Sequence, residues 1–473
     1  MRKKILFFNW TPFDNPQNAG GGITIYIKNV IQNIDTSKYD VYFLSAGEKY
    51  NPFRLKPYLR KSKNIFAEKC KSFEVINAES FAPMGISSWK LNHYAKSKKE
   101  DLLIEKFNKK FGPFDIVHIT NIASVFPSLI KLKEKNPHTK LIFDIHNYNF
   151  CCLNSLLFRH DINTLCTDYC NGKNCLHCFK NDIHSKKIFL NRIKIYLDSN
   201  KFLKPFTKKL LKFRFFYQFR YKKYYLDNKN KISTCDDFVN YRNTNISLIN
   251  KYADHILAVS KRVSEIGIAY GLKKEKIKVS YIGTSFSENT KKRELTDTSK
   301  FTIAYFGYAR ISKGYFFLIK ELSKLPPDIT KNINLIFCAK NSKPADIKHL
   351  SNFNSIQLYN GYTHNDMLSR LTNVNLGIVP VLWEDNLPQV AIELTSMGVP
   401  ILCSNLGGAS ELSNSKHFIF NPNTENDFNK KLLDIINNKS LLDEYWKEFN
   451  GLTSIQENLN HLYQLYEGEY VKN

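Results

Sequence analysis

Apolar and polar residues alternate along this chain in two rhythms. Short apolar runs at Lys4–Trp10, Val41–Leu44, Phe73–Ile76, Ile116–Ile119, Lys140–Ile145, Ile256–Val259, Ile277–Ile282, Phe301–Phe306, Asn334–Cys338, Leu376–Leu382 and Ile401–Ser404 read as buried strands. Between them apolar residues recur at helical spacing. Ile23, Ile27, Val30, Ile31 and Ile34 mark a first helix, and Lys96–Phe111, Lys261–Tyr270, Asn365–Arg370 and Gln389–Met397 read as further ones. Two helices are expected after Phe420-Asn421-Pro422, the last at about Ser454–Glu467. Strands that alternate with helices predict an α/β protein with parallel sheets. The polar stretch Ser285–Ser299 is the natural linker. It divides the chain into a first domain over 1–288, a second over 300–445, and a closing segment over 446–473.

The most informative stretch is Ile378–Glu411. A strand ends at Glu384-Asp385-Asn386-Leu387-Pro388, a helix carries Glu393 and stops at Gly398, and a second strand leads to Gly407-Gly408. In such a unit ligands bind beyond the carboxyl ends of the strands. The paired glycines, with a helix holding Glu411 behind them, would let backbone N–H groups approach a phosphate. Glu393 could accept both hydroxyls of a ribose. The plainer alternative is a simple turn and a solvated helix residue.

Three other places carry candidate chemistry. Gly20-Gly21-Gly22, between the first strand and its helix, permits close backbone approach to a ligand or forms a flexible joint. His146, at the carboxyl end of a strand, can donate to a sugar hydroxyl or a reacting oxygen; His118, inside its strand, reads as structural. After Phe306, the loop Gly307–Gly314 holds Arg310 and Lys313, two cations able to neutralise a departing diphosphate.

With 43% hydrophobic residues the 473-residue chain can build two to three cores, and no run reaches the ~20 apolar residues of a spanning helix. The apolar start is too short for a secretory signal, so a cytoplasmic protein is expected and its ten cysteines read as thiols or metal ligands. A formal net charge of +26 predicts attraction to polyanions or anionic surfaces, although Lys, Asn and Ile are abundant throughout.

The string W-E-D-N-L-P-x-x-x-x-E, followed by G-V-P-I and G-G-x-x-E, resembles the donor-site signature of family 4 glycosyltransferases. The blocks A-D-H-I-L-A-V-S and Ile277–Gly283, the histidine strand and Lys313-Gly314 are similar to that family too. The resemblance implies a GT-B fold: two Rossmann-like parallel-sheet domains facing across a cleft. It implies retaining transfer from a nucleotide-sugar donor to a glycan or lipid-linked acceptor, with no catalytic metal. Carried over by position, His146, Arg310, Lys313 and Glu393 would be catalytic. Gly307, Glu384, Asp385, Asn386, Leu387, Gly407 and Gly408 would bind the donor, and Gly21 and Gly22 would line the acceptor side. The sequence departs from the family pattern at Asn147, where an aspartate is usual, and at Tyr308, where an arginine is usual.

Cys151, Cys152, Cys166, Cys170, Cys175 and Cys178 crowd the loop after His146, in a place where a subset of the family carries a similar insertion. The C-x-x-C pair with upstream cysteines makes Cys152, Cys166, Cys175 and Cys178 candidate ligands of a structural zinc, against free thiols. Residues 186–226 interleave cations with Phe, Tyr, Leu and Ile in two amphipathic pieces. They suit an anionic membrane, or packing on their own domain; nucleic acid is not expected. Placement at the inner face of the plasma membrane, in cell-surface polysaccharide assembly, would combine these features. A nucleotide-sugar epimerase of the same fold and a non-catalytic polyanion-binding protein remain the alternatives.

Overall fold

The computed structural model describes residues 2–13, 21–47, 49–54, 56–62, 68–78, 97–122, 125–179, 193–198, 200, 202–207, 234–284, 290, 292–297, 299–413 and 415–468. Two sheets organise them. The first half contributes β1 (Lys3–Asn9), β2 (Tyr39–Ala46), β3 (Tyr58–Lys61), β4 (Cys70–Ile76), β5 (Ile116–Ile119) and β6 (Lys140–Ile145). A separate antiparallel pair follows, β7 (Phe158–Arg159) with β8 (Thr164–Leu165), and then β9 (His255–Ala258) and β10 (Ile277–Val279). The large sheet runs β10-β9-β6-β5-β1-β2-β4-β3, parallel except where β3 meets β4. The second half forms an all-parallel sheet from β11 (Phe301–Tyr308), β12 (Ile333–Lys340), β13 (Ser355–Tyr359), β14 (Leu376–Val379), β15 (Ile401–Ser404) and β16 (Ile419–Phe420), in the order β13-β12-β11-β14-β15-β16.

Helices cover both faces of β1, which is why Ile5, Leu6, Phe7 and Phe8 are all buried and read as a continuous apolar run. Each sheet reverses its strand order beside its first strand, and loops at the carboxyl ends there form a crevice. The last helix, Ile455–Glu467, returns to the first domain. Its Leu459, Leu462, Leu465 and Tyr466 share a core with Ile5, Phe7, Ile27 and Ile31. Its end is fastened by Glu467, which accepts from the Tyr39 hydroxyl at 2.7 Å and pairs with Lys3.

Several expectations are corrected. β14 stops at Val379, because Pro380 has no N–H for the ladder. Three helices follow Pro422, since Asp427–Asn437 and Ser440–Glu448 are separate. The pattern gave no sign of β13, nor of the 18-residue helix Cys235–Tyr252. Thr234 and Asp237 close a capping box on that helix. Its buried face carries Asp237, Arg242 and Asn245, so apolar periodicity is weak. Most of the basic insert lies outside the described residues, as does Gly20; within the insert, Lys204–Phe206 forms one 3-10 turn. Among the described residues no helix is long and apolar enough to cross a membrane.

The closing helix is expected to hold the first domain together. Leu462→Ala, at a fully buried position, should lower unfolding stability by about 2–5 kcal/mol, whereas exposed Gln456→Ala should stay within about 0.5 kcal/mol. Denaturant midpoints at constant slope measure both.

Candidate functional site

The loop after β14 lies at the meeting of the two domains. Glu384, Asp385 and Asn386 are all buried there. Glu384 receives both guanidinium arms of Arg262, at 2.6 and 3.0 Å, and accepts the Gly407 N–H at 2.8 Å. These bonds push the Arg262 guanidinium above its usual range. Asp385 pairs with Lys313 at 2.5 Å, and the Lys313 ammonium also stands 5.2 Å over the Trp383 ring. Both acids of this loop therefore carry a cation partner. Asn386 differs. Its backbone carbonyl accepts the Ser260 hydroxyl at 2.9 Å, but among the described residues no group bonds either end of its buried amide.

The paired glycines are where sequence placed them, with a different immediate task. Gly407 has φ +75°, and a Cβ there would lie 1.9 Å from the Asp385 carbonyl oxygen. A Cβ on Gly408 would lie 2.3 Å from the Asn386 carbonyl oxygen and 2.8 Å from the Ser260 Cβ. Their N–H groups are engaged inside the junction, Gly407 with Glu384 and Gly408 with the Asp385 carbonyl at 2.9 Å. Close packing of backbone on backbone thus demands glycine here, before any phosphate is considered. The helix behind them, Ser410–Ser413, is one turn long. Its Glu411 faces the first domain, accepting the N–H groups of Lys261 and Arg262 at 2.9 and 2.8 Å and the Tyr281 hydroxyl at 2.7 Å. A carboxylate on the first N–H groups of the helix Lys261–Ala269 is a favourable cap supplied across the domain boundary.

Glu393 sits half-buried in the helix Gln389–Ser396. Burial pushes its carboxyl up to about 7 against the opposing hydrogen bond from Tyr362. Tyr362 is itself raised, by burial first and then by the Glu393 charge, and its ring meets Phe306 edge-on at 5.0 Å. Leu387 packs into the hydrophobic core. Gly307 leaves room for the Tyr305 hydroxyl, 3.0 Å from where a Cβ would stand. Gly21 and Gly22 open the first helix, and a Cβ on Gly22 would come within 3.8 Å of Gln389 Oε1 in the other domain. Arg310 does not join Lys313. It is exposed, its backbone turns tightly on the Tyr308 carbonyl, and its guanidinium lies 4.9 Å over the Tyr308 ring.

In the first domain His146 is buried beside Tyr26, ring centroids 4.7 Å apart, with Nε2 3.3 Å from Asp144 Oδ2. His118 is buried too, Nε2 2.8 Å from Asp144 Oδ1 and Nδ1 2.7 Å from the Tyr466 hydroxyl, in keeping with a structural role. Tyr148, two residues beyond His146, feels the charges of Glu384, Asp385 and Arg262, so the loop after β6 adjoins the loop after β14.

Cys152 and Cys178 both contact the Asn154 amide, at 2.9 and 3.5 Å. Cys166 follows β8, and Cys175 precedes Cys178 by one turn of the helix Lys173–Phe179. Burial pushes the thiols of Cys166 and Cys175 up to about 11 and about 12. Among the described residues no three His, Cys, Asp or Glu side chains are grouped as metal ligands. Cys152 and Cys178 are occupied instead with Asn154 and the Phe158 carbonyl.

Sequence reasoning missed Arg262, Tyr362 and Asp144. Arg262 had a signal, a cation at the second position of a helix opening at the carboxyl end of β9. Tyr362 and Asp144 had none beyond residue type.

Residues 286–450 match the family model described as glycosyl transferases group 1. No curated protein sequence matches the chain. Among solved structures, sucrose-phosphate synthase from Thermosynechococcus elongatus is similar at 12% identity, covering 99% of both chains with a TM-score of 0.57. The lipopolysaccharide outer core galactosyltransferase WaaB in its apo form has 14% identity, coverage of 99% and 100%, and a TM-score of 0.56. Anabaena HepE in complex with UDP and glucose has 13%, 98% and 100%, and 0.54. At such identities the likeness is one of fold. That fold is GT-B, two Rossmann-like sheets across a cleft.

Because folding raises the Glu393 carboxyl from its ordinary 4.5 to about 7, the folded chain holds this proton more tightly than the unfolded one. The site therefore loses stability as pH rises from about 4.5 to about 7 and keeps that cost above. Glu393→Gln should raise the Tm at pH 8 by roughly 2–4 °C and change it little at pH 4.5. Calorimetry at the two pH values checks this.

Proposed function

We propose that this chain is a retaining glycosyltransferase that moves a sugar from a nucleotide-sugar donor to a glycan or lipid-linked acceptor in cell-surface polysaccharide assembly. The observation that carries the reading is the Asn386 amide. It is buried with both ends unpartnered, in a segment that matches group 1 glycosyltransferases and close to the charge pair of Asp385 and Lys313. Buried polar groups are nearly always satisfied, so an open amide here calls for a polar ligand.

In this reading Glu393 accepts the ribose hydroxyls and Asn386 and Asp385 meet the hydroxyls of the sugar. Lys313 turns from Asp385 toward the diphosphate as its charge develops, which stabilises the leaving group. Gly307, Gly407 and Gly408 keep the floor of the site free of side chains. The bond from the anomeric carbon to the phosphate oxygen breaks while the acceptor hydroxyl attacks from the same face. Its proton passes to the departing phosphate oxygen. His146, with Gly21 and Gly22, borders the acceptor side. UDP-sugars are the first donors to try, since HepE is described in complex with UDP and glucose. A cytoplasmic protein peripheral to the inner membrane face fits the net charge and a lipid-linked acceptor.

Thermal-shift titration against UDP, GDP and ADP and their sugars is expected to pick out one nucleotide. Lys313→Ala should then lower kcat/KM by about 10²-fold or more. Donor binding should strengthen as pH rises through about 7, where Glu393 becomes a carboxylate, and that dependence should vanish in Glu393→Gln. Nucleotide release that does not depend on added acceptor would favour an epimerase. Failure to bind any nucleoside diphosphate would remove the enzyme reading.

A further inference from the structure

Deep in the first domain lies a chain of polar groups that the donor site does not use. It runs Tyr466 hydroxyl, His118, Asp144, His146, with separations of 2.7, 2.8 and 3.3 Å. The side chains of His118, Asp144 and His146 are 0%, 2% and 3% exposed, so water does not compete for them. Tyr26 packs on the His146 ring, and His461 and Asn458 of the closing helix stand close to Tyr26 and Asp144.

We propose that Asp144 is the positioning residue for His146, fixing its ring and its tautomer for the transfer step, and that Tyr466 extends this support to the closing helix through His118. The inference rests on the glycosyltransferase reading for the purpose of the histidine, though not for its geometry. Asp144 lies on β6 and His146 one residue past its end, and both side chains meet, Nε2 of His146 standing 3.3 Å from Asp144 Oδ2. Burial alone would raise the Asp144 carboxyl, but the two histidines overturn that and hold it down at about 2. A permanent carboxylate accepts hydrogen bonds and donates none. Nε2 is the ring atom of each histidine recorded beside Asp144, so a proton there is the one the carboxylate favours. His118 so arranged takes the Tyr466 hydroxyl proton on Nδ1. His146 so arranged turns Nδ1 away from Asp144. The ring therefore offers a ligand its Nδ1, as an acceptor when neutral and a donor when protonated. The position after His146 holds Asn147, which cannot act as a carboxylate; Asp144, from inside the strand, supplies the orienting anion.

The neutral amide in Asp144→Asn keeps the shape and removes the charge that selects the tautomer. In ¹⁵N-histidine-labelled full-length protein, wild type is expected to show His146 protonated at Nε2, and the Asn variant a mixture or the Nδ1-protonated form. With the donor chosen by the thermal-shift screen, kcat should fall about 10–100-fold, while donor KM and nucleoside diphosphate affinity stay within about threefold. Tyr466→Phe removes only the outer hydroxyl; it should fold normally and lower kcat about threefold to tenfold, which keeps the test open if the Asn variant does not fold. An unchanged His146 tautomer in Asp144→Asn overturns the proposal even in an active enzyme. So does an unchanged kcat in both variants. If wild type transfers no sugar at all, the functional reading falls and the tautomer measurement still decides the geometry.

Discussion

The structure turns on a junction where backbone meets backbone with no side chain between. The turn Asp385-Asn386 of the second domain rests on Gly407-Gly408 of its own sheet, and Ser260 of the first domain closes on the same point. Neither glycine tolerates a Cβ, and the hydrogen bonds that fill the space cross from loop to loop and from domain to domain. The register of this contact places Arg262 on Glu384 and the opening N–H groups of the Lys261–Ala269 helix on Glu411. A shift of a single residue in either loop would leave buried Glu384 without its cation and half-buried Glu411 without its donors, at a cost of several kcal/mol.

That junction also determines which groups are available for chemistry. Glu384 and Glu411 hold the domains together, so neither is free for a ligand. Asp385 is held by Lys313, whose side chain is a third exposed while that of its partner is not. What is left open is the Asn386 amide and the Glu393 carboxylate. Two domains drawn together by charge at one edge of the cleft, with open polar groups farther in, is an arrangement that binds a polar ligand without first having to break the scaffold.

The alternation of strand and helix was legible because buried parallel strands must be apolar throughout and their covering helices on one face only. The βαβ unit from Leu376 to Ser404 was read nearly to the residue for that reason. Helix Cys235–Tyr252 escaped because Asp237, Arg242 and Asn245 lie on its buried face, and Arg242 there donates to the Cys151 carbonyl at 2.9 Å and stacks on Tyr169. Tertiary partners made those polar residues internal, and no local period announces that. In the site, residue types were legible and pairings were not. Arg310 and Lys313 are three apart in sequence and looked like one clamp, yet Lys313 reaches Asp385 and Arg310 folds back on Tyr308. Arg262, from the other domain, is the cation that meets Glu384 in the acidic loop.

The two lobes treat buried carboxylates in opposite ways, and the contrast is informative. Asp144 is wholly buried yet stays ionised, because two histidines face it. Glu393 is less buried yet is pushed up to about 7, because burial there outweighs the hydrogen bond from the Tyr362 hydroxyl. Burial therefore does not decide the charge; the number of hydrogen-bond donors does. Asp144 has its complement from the protein and is built to hold something still. Glu393 lacks part of its complement, and ionisation there becomes favourable when a ligand brings hydroxyl groups of its own. A carboxylate raised by burial, and a buried amide with neither end bonded among the described residues, are groups whose hydrogen bonding a polar ligand can complete.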